Sequence, residues 1–196
     1  MAPQVSTGRI QQQVAAIASG FLGDWLEHRG NGLAVPMSVF AGDTELQVEK
    51  PEPEAPGRTL CLSIHGLMEL ESVWDFPSRP GHHYGSHLAE QLGDASALKL
   101  RFNTGRPIYR NGQELAALLE SLVSNWPVPV QRLILIGHSM GGLLIRSACH
   151  YGMVNNHAWI TRSPDCVYIG SPYDGSWLAV GAHRAAGWLN RRSRDY

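Results

Sequence analysis

Leu133-Ile134-Leu135-Ile136 runs without a polar residue straight into Gly137-His138-Ser139-Met140-Gly141-Gly142, and that stretch into Leu143-Leu144-Ile145-Arg146. A short apolar run stopped by glycine reads as a buried strand, and the apolar segment beyond it reads as a helix. The order is therefore strand, sharp turn, helix. A serine on such a turn sits in a strained backbone geometry that pushes its hydroxyl clear of the sheet edge. Only small residues fit two positions on either side of it, which Gly137 and Gly141 supply. Gly-x-Ser-x-Gly by itself is also an ordinary glycine-rich loop. Between a buried strand and an apolar helix it predicts Ser139 as a nucleophile.

The rest of the chain supplies the layers such a strand needs. Leu60-Cys61-Leu62-Ser63-Ile64 is nearly all apolar, as in a strand buried on both faces, and it ends in His65-Gly66-Leu67. Residues 97–102 read as a second strand, 132–136 as a third and 167–169 as a fourth. Helices are expected at 86–92, from Asn111 to the Pro127 and Pro129 stop, and from the Ser139 turn to about Tyr151. Asn111 is the expected cap of the second, with Glu114 three residues on, and Leu115, Leu118, Leu119, Leu122, Val123 and Trp126 its buried stripe. Strands alternating with helices predict an α/β fold, a mostly parallel sheet with helices on both faces. Upstream, 37–40 and 45–48 alternate around Gly42-Asp43, a hairpin signal. Residues 49–57 are a Pro- and Glu-rich surface connector, and 10–26 carry the apolar stripe of a helix packed on the domain.

Composition bounds the function classes. The chain has 196 residues, 43% hydrophobic and 17% charged, enough for one domain with a sizeable core. A net charge of −1 offers no basic face for nucleic acid. The 137–142 stretch lacks both the Gly-x-Gly-x-x-Gly order and the Walker lysine, which argues against nucleotide binding. Cys61, Cys149 and Cys166 fall in strand-like or helical runs and read as reduced thiols, which favours a cytoplasmic setting. No signal peptide and no apolar run of about 18 residues is expected, so no transmembrane segment is implied.

With these residues in place the chain resembles the α/β-hydrolase superfamily, and more closely bacterial esterase/lipase proteins related to the alpha/beta domain of GPI inositol-deacylases. The matching stretches are 63–67, 100–105, 111–126, 137–142, 146–152 and 169–172. The resemblance implies that His65-Gly66 opens an oxyanion loop, with backbone N–H donors from Leu67 and from Met140, the residue after the nucleophile. Taken alone, His65-Gly66 is equally an ordinary strand-ending turn. The resemblance also implies a triad in the order serine, acid, histidine, with the last two on later strands. On that pattern the chain divides into an N-terminal helical segment, 1–30, packed on the domain, and a hydrolase core, 31–196, cut short before its last strands. After Gly170-Ser171-Pro172 the related proteins usually differ from Tyr173-Asp174-Gly175; Asp174, just past the strand where some lipases carry their acid, and His183, the histidine after the elbow that is free to move, are weak internal candidates for acid and base.

Two functions follow. One is a serine esterase or lipase acting on a small-molecule or lipid ester, with no cofactor and no metal. The other is a catalytically incomplete remnant that binds without turnover, for which the apolar spacing of 176–190 provides an exposed face. Three further groups read as background. His82, His83 and His87 match no strong zinc spacing and are expected as surface residues. Met68, Trp74, Trp177 and Trp188 are candidates for an acyl pocket or for core packing. His138, His150 and His157 are expected to be unable to reach Ser139.

Overall fold

In a computed structural model the described residues are 35–79 and 82–173. The helices expected at 10–26 and 176–190, together with Asp174, Trp177, His183 and Trp188, lie outside them. Six strands form one sheet: β1 (Ser38–Ala41), β2 (Thr44–Leu46), β3 (Thr59–Ile64), β4 (Ala95–Arg101), β5 (Arg132–His138) and β6 (Asp165–Ile169), in the order β2-β1-β4-β3-β5-β6. β4, β3, β5 and β6 run parallel, while β1 is antiparallel to both β4 and β2. The helices are α1 (Tyr84–Leu92), α2 (Ile108–Asn125) and α3 (Met140–Val154). The mostly parallel sheet and the hairpin at Gly42-Asp43 are thus as the sequence predicts.

Strand alternation divides the sheet into two unlike faces. Leu60, Leu62 and Ile64 of β3, Leu98 and Leu100 of β4, and Leu133 and Leu135 of β5 are all buried in one cluster with α2 and α3. Leu115, Leu119 and Leu122 of α2 and Leu144 and Ile145 of α3 close that cluster. Each such side chain taken fully out of water contributes roughly 1.5–3 kcal/mol, so this layer supplies most of the hydrophobic stabilisation. The other face is mixed. Cys61, Ile134 and Ile136 pack with Trp74, which is a buried core residue. Beside them Lys99, 2% exposed, donates to Asp75 Oδ1 at 2.7 Å, and Arg101 forks onto Glu71 at 2.5 and 2.7 Å. Burying these charges is tolerable only because each is paired.

Two local expectations change. α2 begins at Ile108 after Pro107, not at Asn111. Pro107 takes the cap position instead: its ring fixes φ at −54°, already a helix-compatible value, while its extended ψ of 137° turns the chain into the first turn. Asn111 is buried inside the helix, and its Nδ2 donates to the Asn103 carbonyl at 2.8 Å instead of capping. His83 is buried, not a surface residue: it caps α1 by accepting the Ser86 N–H while Ser86 Oγ accepts the His83 N–H. Burial lowers its pKa below the usual histidine value.

The three cysteines are free thiols, and burial pushes Cys61 up to about 11. Among the described residues no helix is long and apolar enough to cross a membrane. The register sets Ile64 beside Gly137, so the segments after β3 and β5 leave the same end of the sheet as neighbours. That is the carboxyl end of parallel strands, where open α/β sheets place their ligands.

Candidate active site

Ser139 links β5 to α3 with φ +51° and ψ −115°. A non-glycine residue at positive φ costs on the order of 1–3 kcal/mol and persists only where its surroundings hold it. Here they do. Its N–H donates to the Ile169 carbonyl at 2.8 Å, which ties the turn to the end of β6. A Cβ on Gly137 would lie 2.6 Å from the Gly142 nitrogen, and one on Gly141 would strike the Ile64 and His65 carbonyl oxygens. The two glycines are required by backbone on every side, as the sequence predicts.

The 65–69 loop lies against this turn. A Cβ on Gly66 would sit 3.1 Å from Ser139 Cβ. Underneath, His65 is fully buried, stacks on Phe102 with ring centroids 4.5 Å apart, and donates from Nδ1 to the Gly66 carbonyl at 2.9 Å. Burial lowers its pKa to about 4, so the ring is neutral and props the loop from below. Gly66 to Glu69 form a tight turn in which Glu69 N–H reaches Gly66 O at 3.4 Å. Met68 occupies its third position at φ +59°, where glycine is usual. Three of the turn's amides are bonded: Gly66 to Glu69 Oε2 at 2.7 Å, Met68 to Thr104 Oγ1 at 3.2 Å, and Glu69 to Gly66 O. The Leu67 amide has no partner among the described residues. Met140 is the first residue of α3, where a helix leaves its N–H unpaired.

The structure therefore brings Ser139 and Gly66 together, with the Leu67 amide in the intervening loop and that of Met140 next to the serine. Among the described residues no base is bonded to the serine. The Ser139 hydroxyl has no hydrogen bond among the described residues. His157 is held by the Ala116 carbonyl at 3.0 Å, the His150 ring lies against Tyr151, and His138 points at Glu69. His82 and His87 are exposed near Glu90, and no metal-binding cluster occurs among the described residues. A groove of about 750 Å³ lies between the β1–β2 hairpin and α1, floored by Ala95 and Ala97, and includes neither Ser139 nor the loop.

Sequence reasoning missed two residues that shape the site, Glu69 and Thr104. The only signal for Glu69 is a carboxylate in an otherwise apolar loop. Thr104 sits in a motif of the resemblance but reaches Met68 across 36 residues, so no local pattern assigns it.

No family model and no curated protein matches the sequence. Solved structures do. A Bacillus licheniformis lipase, BlEst2 in its mature form, matches with a TM-score of 0.50 and 22% identity, over 74% of this chain and 51% of that one. Esterase B from Lactobacillus rhamnosis, in an inhibited form, matches with a TM-score of 0.36 and 17% identity over 78% and 54%. The first likeness is one of fold: the described residues take the α/β-hydrolase fold, over about half the length of the lipase.

Proposed function

We propose that the protein is a serine hydrolase of carboxylic esters, of the esterase or lipase kind, with Ser139 as nucleophile and the Leu67 and Met140 amides as oxyanion donors. The observation that carries this reading is the strained Ser139 facing a turn, Gly66 to Glu69, in which Leu67 alone has an amide without a partner among the described residues. The lipase likeness supports it at the level of fold.

In the reaction Ser139 Oγ attacks the ester carbonyl and gives up its proton to a histidine base. The two amides hold the negative oxygen of the tetrahedral intermediate. The C–O bond to the alcohol breaks, the alcohol leaves with the proton, and water releases the acyl group as a carboxylic acid. No histidine among the described residues is bonded to Ser139; the superfamily pattern assigns acid and base to later strands, with Asp174 and His183, outside the described residues, as weak internal candidates. The substrate is a small-molecule or lipid ester; transfer of the acyl group to an alcohol would use the same residues. Free thiols and a net charge of −1 fit a cytoplasmic enzyme that acts on small molecules. No cofactor enters this chemistry.

Hydrolysis of short-chain p-nitrophenyl esters tests the reading. Ser139→Ala is expected to remove it, a loss on the order of 10⁴-fold or more. Hydrolysis that survives in that variant contradicts the assignment. A second reading, a binding module without turnover, is favoured by the exposed Val167, Tyr168 and Ile169 of β6.

A further inference from the structure

We propose that Glu69 is a positioning residue whose carboxylate latches the 65–69 loop to the serine turn and so fixes the Leu67 amide beside Ser139. The inference rests on the esterase reading and deepens it. A single oxygen, Glu69 Oε2, accepts the Gly66 N–H at 2.7 Å and lies 3.1 Å from His138 Nδ1. His138 directly precedes Ser139, so this oxygen spans the two segments that form the site. A Cβ built on Gly66 would be 2.9 Å from Glu69 Oε2, 3.1 Å from Ser139 Cβ and 3.2 Å from His138 Nδ1. Carboxylate, nucleophile and imidazole converge on one point, and any side chain at Gly66 would block their contact.

The chemistry explains the choice of a carboxylate. The turn carries Met68 at a left-handed φ, a conformation the loop sequence does not favour on its own. Hydrogen bonds to an ionised acceptor are roughly twice as strong as neutral ones and hold a strained turn better. A free carboxylate beside a developing oxyanion would oppose the reaction. Donation to Oε2 from the Gly66 N–H and from His138 Nδ1 offsets part of that charge. The Leu67 amide is left as the turn's free donor because the other three are occupied.

Glu69→Ala, Glu69→Gln and His138→Phe separate positioning from folding, assayed with p-nitrophenyl butyrate. Glu69→Ala is expected to lower kcat on the order of 100-fold, the cost of about an ångström of misplacement, with KM within about threefold of the parent. Glu69→Gln keeps an oxygen for both N–H groups and is expected to regain about tenfold or more of that loss, and His138→Phe to lower kcat about fivefold. In amide exchange by NMR, the Gly66 proton is expected to be protected in the parent and in Glu69→Gln, and exposed in Glu69→Ala. Unchanged kcat in Glu69→Ala, a loss confined to KM, or equal Gly66 exchange in all forms overturns the latch. A parent without Ser139-dependent hydrolysis instead overturns the esterase reading and the positioning role with it, while Gly66 exchange still reports whether the latch exists.

Discussion

The turn at Ser139 and the loop at His65–Glu69 face each other across Gly66, and they hold their shapes by different means. The turn is held by backbone: glycines at 137 and 141 admit neighbouring main chain, and the Ser139 amide is tied to β6. The loop is held by side chains: His65 from below, Thr104 from the turn after β4, Glu69 from within. Both carry a non-glycine residue at positive φ, Ser139 in one and Met68 in the other. A backbone-held turn tolerates no added atom, whereas a loop held by side chains loosens one bond at a time. Substitution should therefore break the first sharply and the second by degrees.

Gly141→Ala is expected to have the largest effect. The added methyl meets the Ile64 carbonyl at the end of β3 and the His65 carbonyl just beyond it, both main chain, so the cost is about 3 kcal/mol or more in urea unfolding. A loss below about 1 kcal/mol would mean that the turn is not clamped by backbone.

The loop's prop titrates. His65 has a folded pKa of about 4 against an ordinary value of 6.5, so the unfolded chain binds the extra proton first as pH falls. Its contribution is fully present above pH 6.5 and is lost as pH falls toward 4, amounting to about 3 kcal/mol. Stability measured across that window should decline on acidification, and His65→Gln should flatten the decline. A parent profile that is level from pH 6.5 to 4 would show that His65 is not buried as neutral imidazole.

Thr104→Val is the smallest change. It deletes the acceptor of the Met68 N–H and is expected to cost about 1 kcal/mol, with kcat falling more than stability. Thr104→Ser should restore both. Equal losses in the two variants would point to packing instead of the hydrogen bond.

The same contrast decides what the sequence discloses. The turn is legible because its demands are local: two small residues within two positions of Ser139, a buried strand before it and an apolar helix after. The parallel sheet is legible for the same reason, since Leu60–Ile64 and Leu133–Ile136 announce strands by composition alone. The loop's tethers are not legible. Glu69 meets His138 across 69 residues and Thr104 meets Met68 across 36, and neither spacing leaves a periodic trace. Asn111 misled because an asparagine followed three residues later by a glutamate fits a helix cap, yet Pro107 had already begun the helix and the amide was needed inside, on Asn103. His83 misled because a histidine among histidines reads as surface, whereas its ring nitrogen caps α1.

The central claim is that Ser139 is an activated nucleophile, and covalent labelling addresses it most directly. The purified protein and its Ser139→Ala variant would be treated with a fluorophosphonate and weighed by intact mass. One phosphonyl adduct is expected on the parent and none on the variant. A folded parent that takes up no adduct, or a variant labelled equally, would contradict it.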